Sequence, residues 1–443
     1  MSITYILNTD VIICILDYLK DCDKMNFMKT CKEYYGFWNN INYTNLYEYD
    51  IIKNLPIVNR FKRLVYRGKI STNNIPFNEF IKEYIVIDLI DPIPNNITHL
   101  KFGQNFDQDI TDYMRCIPNS VTHLTFGKYF DQPIKDCIPN SVTHLTFGEY
   151  FDQPIKDCIP NSVTHLTFGT FFNQNIQDCI PNSVIYLKFG QNFKKNIKNC
   201  IPNSVTHLEF GYYFNRNIRK CIPNSVTHLK FGFSFDRDIK GCIPNSVTHL
   251  KFGDGFNQNI EDCIPDSVVH LVFGFSFNQN IKGCIPNSVT YLEFGWKFDQ
   301  DIKDCIPKSV THLKFGYKFH HNIKDYIPHN VTHLTLKYTY DHNIKYYIPN
   351  SVIHLTFGKY FNQDIKNSIP NSVTHLEFGF DFNQDIKDCI PNSVTHLTFG
   401  YKFNQNIKDC IPNSVTHLTF YKEYDKNIRL WIPNTVTHLL FLN

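Results

Sequence analysis

Alanine is absent from all 443 residues. Because alanine is the strongest helix former, a chain built without it does not read as mainly helical. Also missing is any block of basic residues: 44 Lys and Arg stand against 41 Asp and Glu, and the formal charge of +3 is spread along the chain. A surface that tracks phosphates needs cations gathered on one face, so nucleic acid is not an expected partner. No run approaches the roughly 18 apolar residues of a membrane span, and the N-terminus has no basic stretch ahead of an apolar one. No membrane partner is therefore expected and a cytoplasmic chain is; its 15 cysteines are then expected as reduced thiols.

What is present is repetition. From Pro94 onward 17 Ile-Pro pairs recur, at Pro94, Pro118, Pro139, Pro160 and on to Pro433, and from Pro118 the step is always 21 residues. A period this short and constant predicts a solenoid, in which no unit buries its apolar face until its neighbours stack on it. In the unit "IPNSVTHLTFGKYFDQPIKDC", Ile117 to Cys137, the apolar positions are Ile117, Val121, Leu124, Phe126, Phe130, Ile134 and Cys137. Leu124 and Phe126 flank an outward residue, the alternation of a short strand. No stretch of the unit sustains helical spacing, so each coil is one strand plus bends. Gly127 ends the strand, a place where a positive φ is expected, with Lys337 and Tyr421 standing there in later coils. Phe61-Leu64-Tyr66 and Ile81-Tyr84-Val86 copy the spacing of Val121-Leu124-Phe126 and read as degenerate coils on the N-terminal side. At the other end "THLLFLN" carries no polar cap, an open apolar edge with a liability for self-association.

Several ladders follow from the period. His occupies one slot in 15 of the 17 coils, from His99 and His123 to His438, with Tyr186 and Tyr291 in the other two. Leu124 points inward, so His123 points out. The 12 repeat cysteines precede Ile-Pro at a corner far from that strand, and no CxxC spacing occurs. A tetrahedral zinc site is therefore not expected, and stacked neutral imidazoles are. Small thiols filling a corner explain the cysteines. The Asp131-Gln132 pair and its counterparts read as a hydrogen-bonding ladder at the second bend. Paired carboxylates for acid–base work would have to be unique to one coil, and none is, so neither a catalytic residue nor a cofactor is assigned.

Where scaffold positions repeat, variable ones carry specificity. The outward strand residue, Thr in seven of the 17 coils, becomes Lys188, Glu209, Lys230, Lys251, Val272, Glu293 and Lys314 in the middle. Just past the Gly slot stand Tyr212, Phe233, Phe275, Trp296, Tyr317, Tyr338, Phe380 and Tyr401, whereas earlier coils carry Tyr129, Tyr150 and Phe171 one place later. Aromatics beside mixed charge fit a protein-binding strip. Equally, the rings fit local cover for the core Phe beneath them.

The first fifty residues break the pattern. Leu7, Val11, Ile15, Leu16 and Leu19 share one helical face, with Asn8 or Thr9 placed to cap it. A second helix is expected from Asp23, carrying Met25, Phe27, Met28 and Cys31. Two helices this short need the solenoid or a partner to be stable.

The repeat unit resembles the FNIP repeat, a relative of leucine-rich repeats found in amoebae and giant viruses, over residues 93–443. That resemblance implies an LRR-like parallel β-solenoid of about 17 coils that binds target proteins. Residues 1–45 resemble the F-box on Leu7, Asp10, Val11, Ile15, Leu16, Tyr18, Leu19, Asp23 and Cys31, with Asn8 where that pattern has proline. An F-box implies docking on a Skp-type adaptor of a cullin ubiquitin ligase, through Leu7, Val11, Ile15, Leu16, Leu19, Phe27 and Cys31. The expected organisation is a helical segment at 1–45, a linker with degenerate capping coils at 46–92, and the solenoid at 93–443. The expected function is substrate recognition for such a ligase, in a host cytoplasm if viral. The alternative is an interaction scaffold with no ligase link.

Overall fold

The computed structural model describes all residues except 1–8, 31–33, 35, 67–80, 87–92, 94, 111–116, 320, 322–325, 337–347, 422–423, 425–430 and 443. It divides into two compact units, Met1–Phe193 and Lys194–Asn443.

The first unit opens with helices α1 (Thr9–Asp17) and α2 (Asp21–Met28) and a 3-10 turn at Gly36–Asn39. Strand β1 (Tyr43–Glu48) and the single helical turn α3 (Tyr49–Ile52) come next. Strands β2 (Phe61–Tyr66), β3 (Ile81–Val86) and β4 (His99–Phe102) lead into the regular coils, whose strands in this unit are His123–Thr125, His144–Thr146, His165–Thr167 and Tyr186–Lys188. Each pairs in parallel with the next. Phe61, Leu64, Tyr66, Tyr84 and Val86 are buried, so the two degenerate coils extend the stack. Strand β1 adds a further layer that its sequence, YTNLYE, does not announce, because the Val-Leu-Phe spacing is missing. Helix α2 starts at Asp21 and not at Asp23; no side chain caps it, and the Asp21 carboxylate is used elsewhere.

In the second unit, twelve strands among the described residues run from His207–Glu209 to His438–Leu442, again all parallel and paired in sequence order. Equivalent residues face each other across every pair, as Leu250 faces Leu271 and His249 faces His270. A 21-residue coil thus returns to the same place each time.

Why the coil closes is visible residue by residue. Val121, Leu124, Phe126, Phe130, Ile134 and Cys137 are all buried, and so are nearly all of their described counterparts in later coils; Cys284 is half-buried, and in the last coil Val436 is half-buried and Leu439 and Phe441 are exposed. Phe126 and Phe130 stack within a coil at 4.4 Å, and each meets its copy in the next coil, Phe147 at 5.6 Å and Phe151 at 6.2 Å. Burying one such ring is worth about 1.5–3 kcal/mol. The polar corners are satisfied coil to coil. Ser141 donates to the Val121 carbonyl (2.7 Å), and Asp131 accepts both from the Asp152 N–H (2.9 Å) and from the Gln153 amide (3.0 Å). This is the expected ladder at the second bend.

The strand-ending glycine has a different reason from the one expected. Positive φ among the described glycines belongs to Gly241 and Gly283, which lie elsewhere in the coil. A Cβ built on Gly148 would instead fall on the carbonyl oxygen of Gly127, and one on Gly253 would meet Gly232 in the same way. Close backbone approach between coils demands the glycine. The left-handed residue is the one before the corner cysteine: Asp136 at φ 58°, Asn199 at 57°, Asp262 at 56°, Gly241 at 65°. Asp, Asn and Gly dominate that slot because they enter this region at the least steric cost. Lys220, at φ 57°, is the exception.

Candidate functional site

Helix α1 turns Ile12 and Leu16 inward, at 3% and 1% exposure, and leaves Val11 and Ile15 facing solvent at 42 and 49%, while Tyr18 and Leu19 in the turn just after it are 94 and 37% exposed. Those four exposed apolar side chains fall at i, i+4, i+7 and i+8, one continuous stripe. Of the residues expected at an adaptor surface, Val11, Ile15 and Leu19 lie on it. Leu16 lies in the interior, where it anchors the helix. Phe27 is half-buried and stacks on Tyr34 at 4.6 Å. Leu7 and Cys31 lie outside the described residues.

Helix α2, next along the chain, carries a buried ion pair. Asp21 and Lys24 are both buried, with Lys24 Nζ 3.2 Å from Asp21 Oδ1. Lys24 also donates to the Asn42 carbonyl at 2.6 Å. The Asp21 carboxylate accepts the N–H groups of Thr44 (3.1 Å) and Asn45 (2.7 Å) and the Tyr47 hydroxyl (3.0 Å). Burial pushes its pKa up, but those donors and Lys24 outweigh it and hold the carboxyl below its usual range. Burial and the same carboxylate push the Tyr47 hydroxyl upward. Helix α2 is thereby pinned to β1, the first strand of the stack. Nothing in the helical periodicity identified this pair; the charges on an otherwise apolar face, Asp21 and Lys24 one turn apart, were the only signal.

On the repeat face the variable strand residues are partly spent on one another. Lys230 pairs with Glu209 at 3.2 Å and Lys314 with Glu293 at 3.8 Å, while Tyr291 donates to Glu293 at 2.8 Å. Val272 is buried; Lys188, in the first unit, and Lys251 are exposed. The aromatic residues stack ring on ring from coil to coil. Tyr212 meets Phe233 at 4.5 Å, Phe275 meets Trp296 at 5.6 Å, Trp296 meets Tyr317 at 3.6 Å and Phe380 meets Tyr401 at 4.6 Å. Trp296 remains 39% exposed and Phe233 43%, so the stacks keep open edges. Tyr338 lies outside the described residues.

The histidine slot forms continuous stacks of rings, 4.1 Å apart at His123–His144 and His144–His165. Most rings sit beside a preceding threonine, as His144 Nδ1 does at 3.0 Å from Thr143 Oγ1, whose hydroxyl also reaches the Thr122 carbonyl at 3.2 Å; His270 and His354 follow Val269 and Ile353 instead. With one hydroxyl proton for two contacts, donation to the carbonyl leaves Nδ1 to carry its own hydrogen. Burial, then the neighbouring imidazoles, lower the pKa of His123, His144 and His228, and bring His333 and His375 to about 4. The corner thiols donate to nearby carbonyls, Cys158 to Lys156 at 3.2 Å. Burial pushes Cys137, Cys263 and Cys389 up to about 11, far from a reactive thiolate. Among the described residues no group of three His, Cys, Asp or Glu is placed to hold a metal, and no helix is long and apolar enough to cross a membrane.

Comparison with known proteins places these features in context. The model of the FNIP repeat matches thirteen stretches that together run from residue 89 to residue 443. A solved structure described as a novel circular LRR protein is 36% identical, with a TM-score of 0.58, covering 86% of this chain and 72% of that one. Two curated relatives come from Acanthamoeba polyphaga mimivirus, both described as putative F-box and FNIP repeat-containing proteins. One is 38% identical over 112 residues, 25% of this chain and 37% of the relative; the other is 36% identical over 100 residues, 23% and 19%. The matched stretches thus span well under half of either relative.

Proposed function

The chain belongs to the FNIP repeat family, and we propose that it serves as the substrate-recognition subunit of a Skp–cullin–F-box type ubiquitin ligase. In this reading the helices α1 and α2 dock a Skp-type adaptor, and the repeat face holds a target protein. The chemistry is left to the ligase partners. The receptor contributes effective concentration and orientation, bringing target lysines within reach of the enzyme that modifies them. A host cytoplasm is where such partners would be met.

The observation that carries this reading is the stripe of Val11, Ile15, Tyr18 and Leu19, left in water on α1 and the turn that follows it while Ile12 and Leu16 face inward. An apolar stripe on a fixed helix, with a polar surround, fits a helix-on-helix docking surface. The curated relatives described as F-box proteins support the same assignment. The test is co-purification of the full chain with a Skp-type adaptor, beside the double variant Val11→Asp/Ile15→Asp. Retention by the native chain and loss in the variant, with an unchanged circular dichroism spectrum, is the expected result. If the native chain does not retain the adaptor, the ligase role is lost and an interaction scaffold remains.

A further inference from the structure

In the second unit the aromatic strip is broken twice. The slot that holds Phe233 and Phe275 holds Asp254 between them, and two coils past Tyr317 it holds Lys359. Between those breaks lies a pocket of about 470 Å³ walled by Phe275, Trp296, Tyr317 and Tyr360. Its floor includes the backbone of Gly274, Gly295 and Gly316, where close coil packing forbids side chains. The volume falls in the range of sites that enclose small ligands or several side chains, about 300–1,000 Å³. The wall is stiff: Trp296 and Tyr317 are face to face at 3.6 Å, and Tyr360 meets Tyr317 edge-on at 5.0 Å.

The charges around the pocket are unevenly committed. Glu293 is engaged by Lys314 and by the Tyr291 hydroxyl. Asp254 accepts the Phe275 N–H at 3.1 Å. The rings already carry cations of their own, Lys297 over Phe275 at 5.6 Å and Lys359 over Tyr360 at 5.3 Å. Among the described residues neither Lys251 nor Lys359 has an ion pair, and Lys359 lies over the Tyr360 and Phe380 rings. With Glu293 answered by Lys314, the lining charges left are Lys251 and Lys359 against the single carboxylate of Asp254, a net of +1, which disfavours a cationic ligand and favours an anionic one.

We propose that this pocket binds an extended peptide segment of a target protein, with an aromatic or aliphatic centre over Trp296 and Tyr317 and acidic residues reaching Lys251 and Lys359. The proposal rests on the repeat face being the target-binding surface and names the chemistry that surface selects. Its reach follows from the strands. The strand bearing Lys251 and the strand preceding Lys359 are five parallel steps apart. At about 4.8 Å per step this is about 24 Å, or about seven residues of extended chain. Trp and Tyr are the side chains that most often dominate binding energy, and here three of them are held in place before any ligand arrives.

The test uses the full chain and two fluorescein-labelled probes read by anisotropy: Asp-Glu-Leu-Trp-Leu-Glu-Asp and its counterpart Lys-Lys-Leu-Trp-Leu-Lys-Lys. The acidic probe is expected to bind and the basic one not. The exposed-site variant Lys251→Glu/Lys359→Glu is expected to weaken the acidic probe at least tenfold without altering the circular dichroism spectrum, and Trp296→Ala to do the same. Equal binding of the basic probe, no binding of the acidic probe up to about 1 mM, or indifference to the charge reversal overturns the proposal. Adaptor retention is measured on the same preparation. Retention without peptide binding removes this proposal alone, and peptide binding without retention removes the ligase role and leaves the pocket.

Discussion

Acid should loosen the repeat stack through its histidines, and two of them set the scale. Burial and adjacent imidazoles hold His333 and His375 at about 4, against an ordinary value of 6.5. The unfolded chain therefore takes up a proton at each site near pH 6.5, whereas the folded chain resists until about pH 4. Stability is fully present above pH 6.5, falls as the pH drops through that window, and levels off below about 4. The full difference of about 2.5 units corresponds to about 3.4 kcal/mol per site. These rings are only partly buried, so solvent screening reduces that to about 1–2 kcal/mol, of which about 1 kcal/mol is lost by pH 5. The threonine contact does not change this, because Nδ1 carries its hydrogen in the neutral and the charged ring alike. Tyrosine is a ready replacement, since Tyr291 occupies the same slot and stacks on His270 at 4.0 Å. Urea unfolding of the native chain and of His333→Tyr/His375→Tyr, at pH 7 and pH 5, measures the effect. The double variant should lose about 2 kcal/mol less than the native chain on going to pH 5. An equal loss in both would refute the reasoning and assign the acid sensitivity to other groups.

Two further outcomes are expected. Lys220→Gly should raise stability by up to about 1 kcal/mol, because Lys220 holds φ at 57° where other coils use Asp, Asn or Gly; a thermal melt at equal pH checks it, and a lower melting temperature would count against the left-handed corner. Asp21→Asn should cost about 3–5 kcal/mol in the first unit by leaving Lys24 buried and unpaired. Replacing both partners, Asp21→Leu/Lys24→Leu, should cost less than that single change, as read by limited proteolysis between α2 and β1.

The regular coil was legible because each decision in it is made many times over. Leu124 and Phe126 alternate around an outward residue, and a misreading at one coil would have conflicted with every other. The solenoid, the outward histidines and the Asp131-Gln132 ladder all follow from that redundancy. Reasons that depend on the distance between backbones were not legible. Gly127 and its copies look like turn glycines in one dimension, yet their slot is closed to a side chain by the carbonyl of the neighbouring coil. The true left-handed position, Asp136 and its copies, was visible as a run of Asp, Asn and Gly, but its meaning was taken by the nearby glycine. Single-copy features were the hardest. Strand β1 lacks the repeat spacing, and Asp21 with Lys24 becomes informative only once both are seen buried beside Thr44 and Asn45.

The aromatic strip shows why packing and binding cannot be separated by letter. A ring in a stacked coil covers the coil beside it whatever else it does, so Phe233 on Tyr212 and Tyr401 on Phe380 are packing by construction. Binding needs a place where that cover is interrupted while the walls remain. Asp254 and Lys359 supply the interruption, and Trp296, Tyr317 and Tyr360 keep the walls rigid across it. Specificity in a repeat surface then resides less in which aromatic residues are present than in which coils omit one. The same logic makes Lys251 informative: Lys230 and Lys314 are answered by Glu209 and Glu293, and Lys251 faces Val272, leaving its charge for whatever docks there.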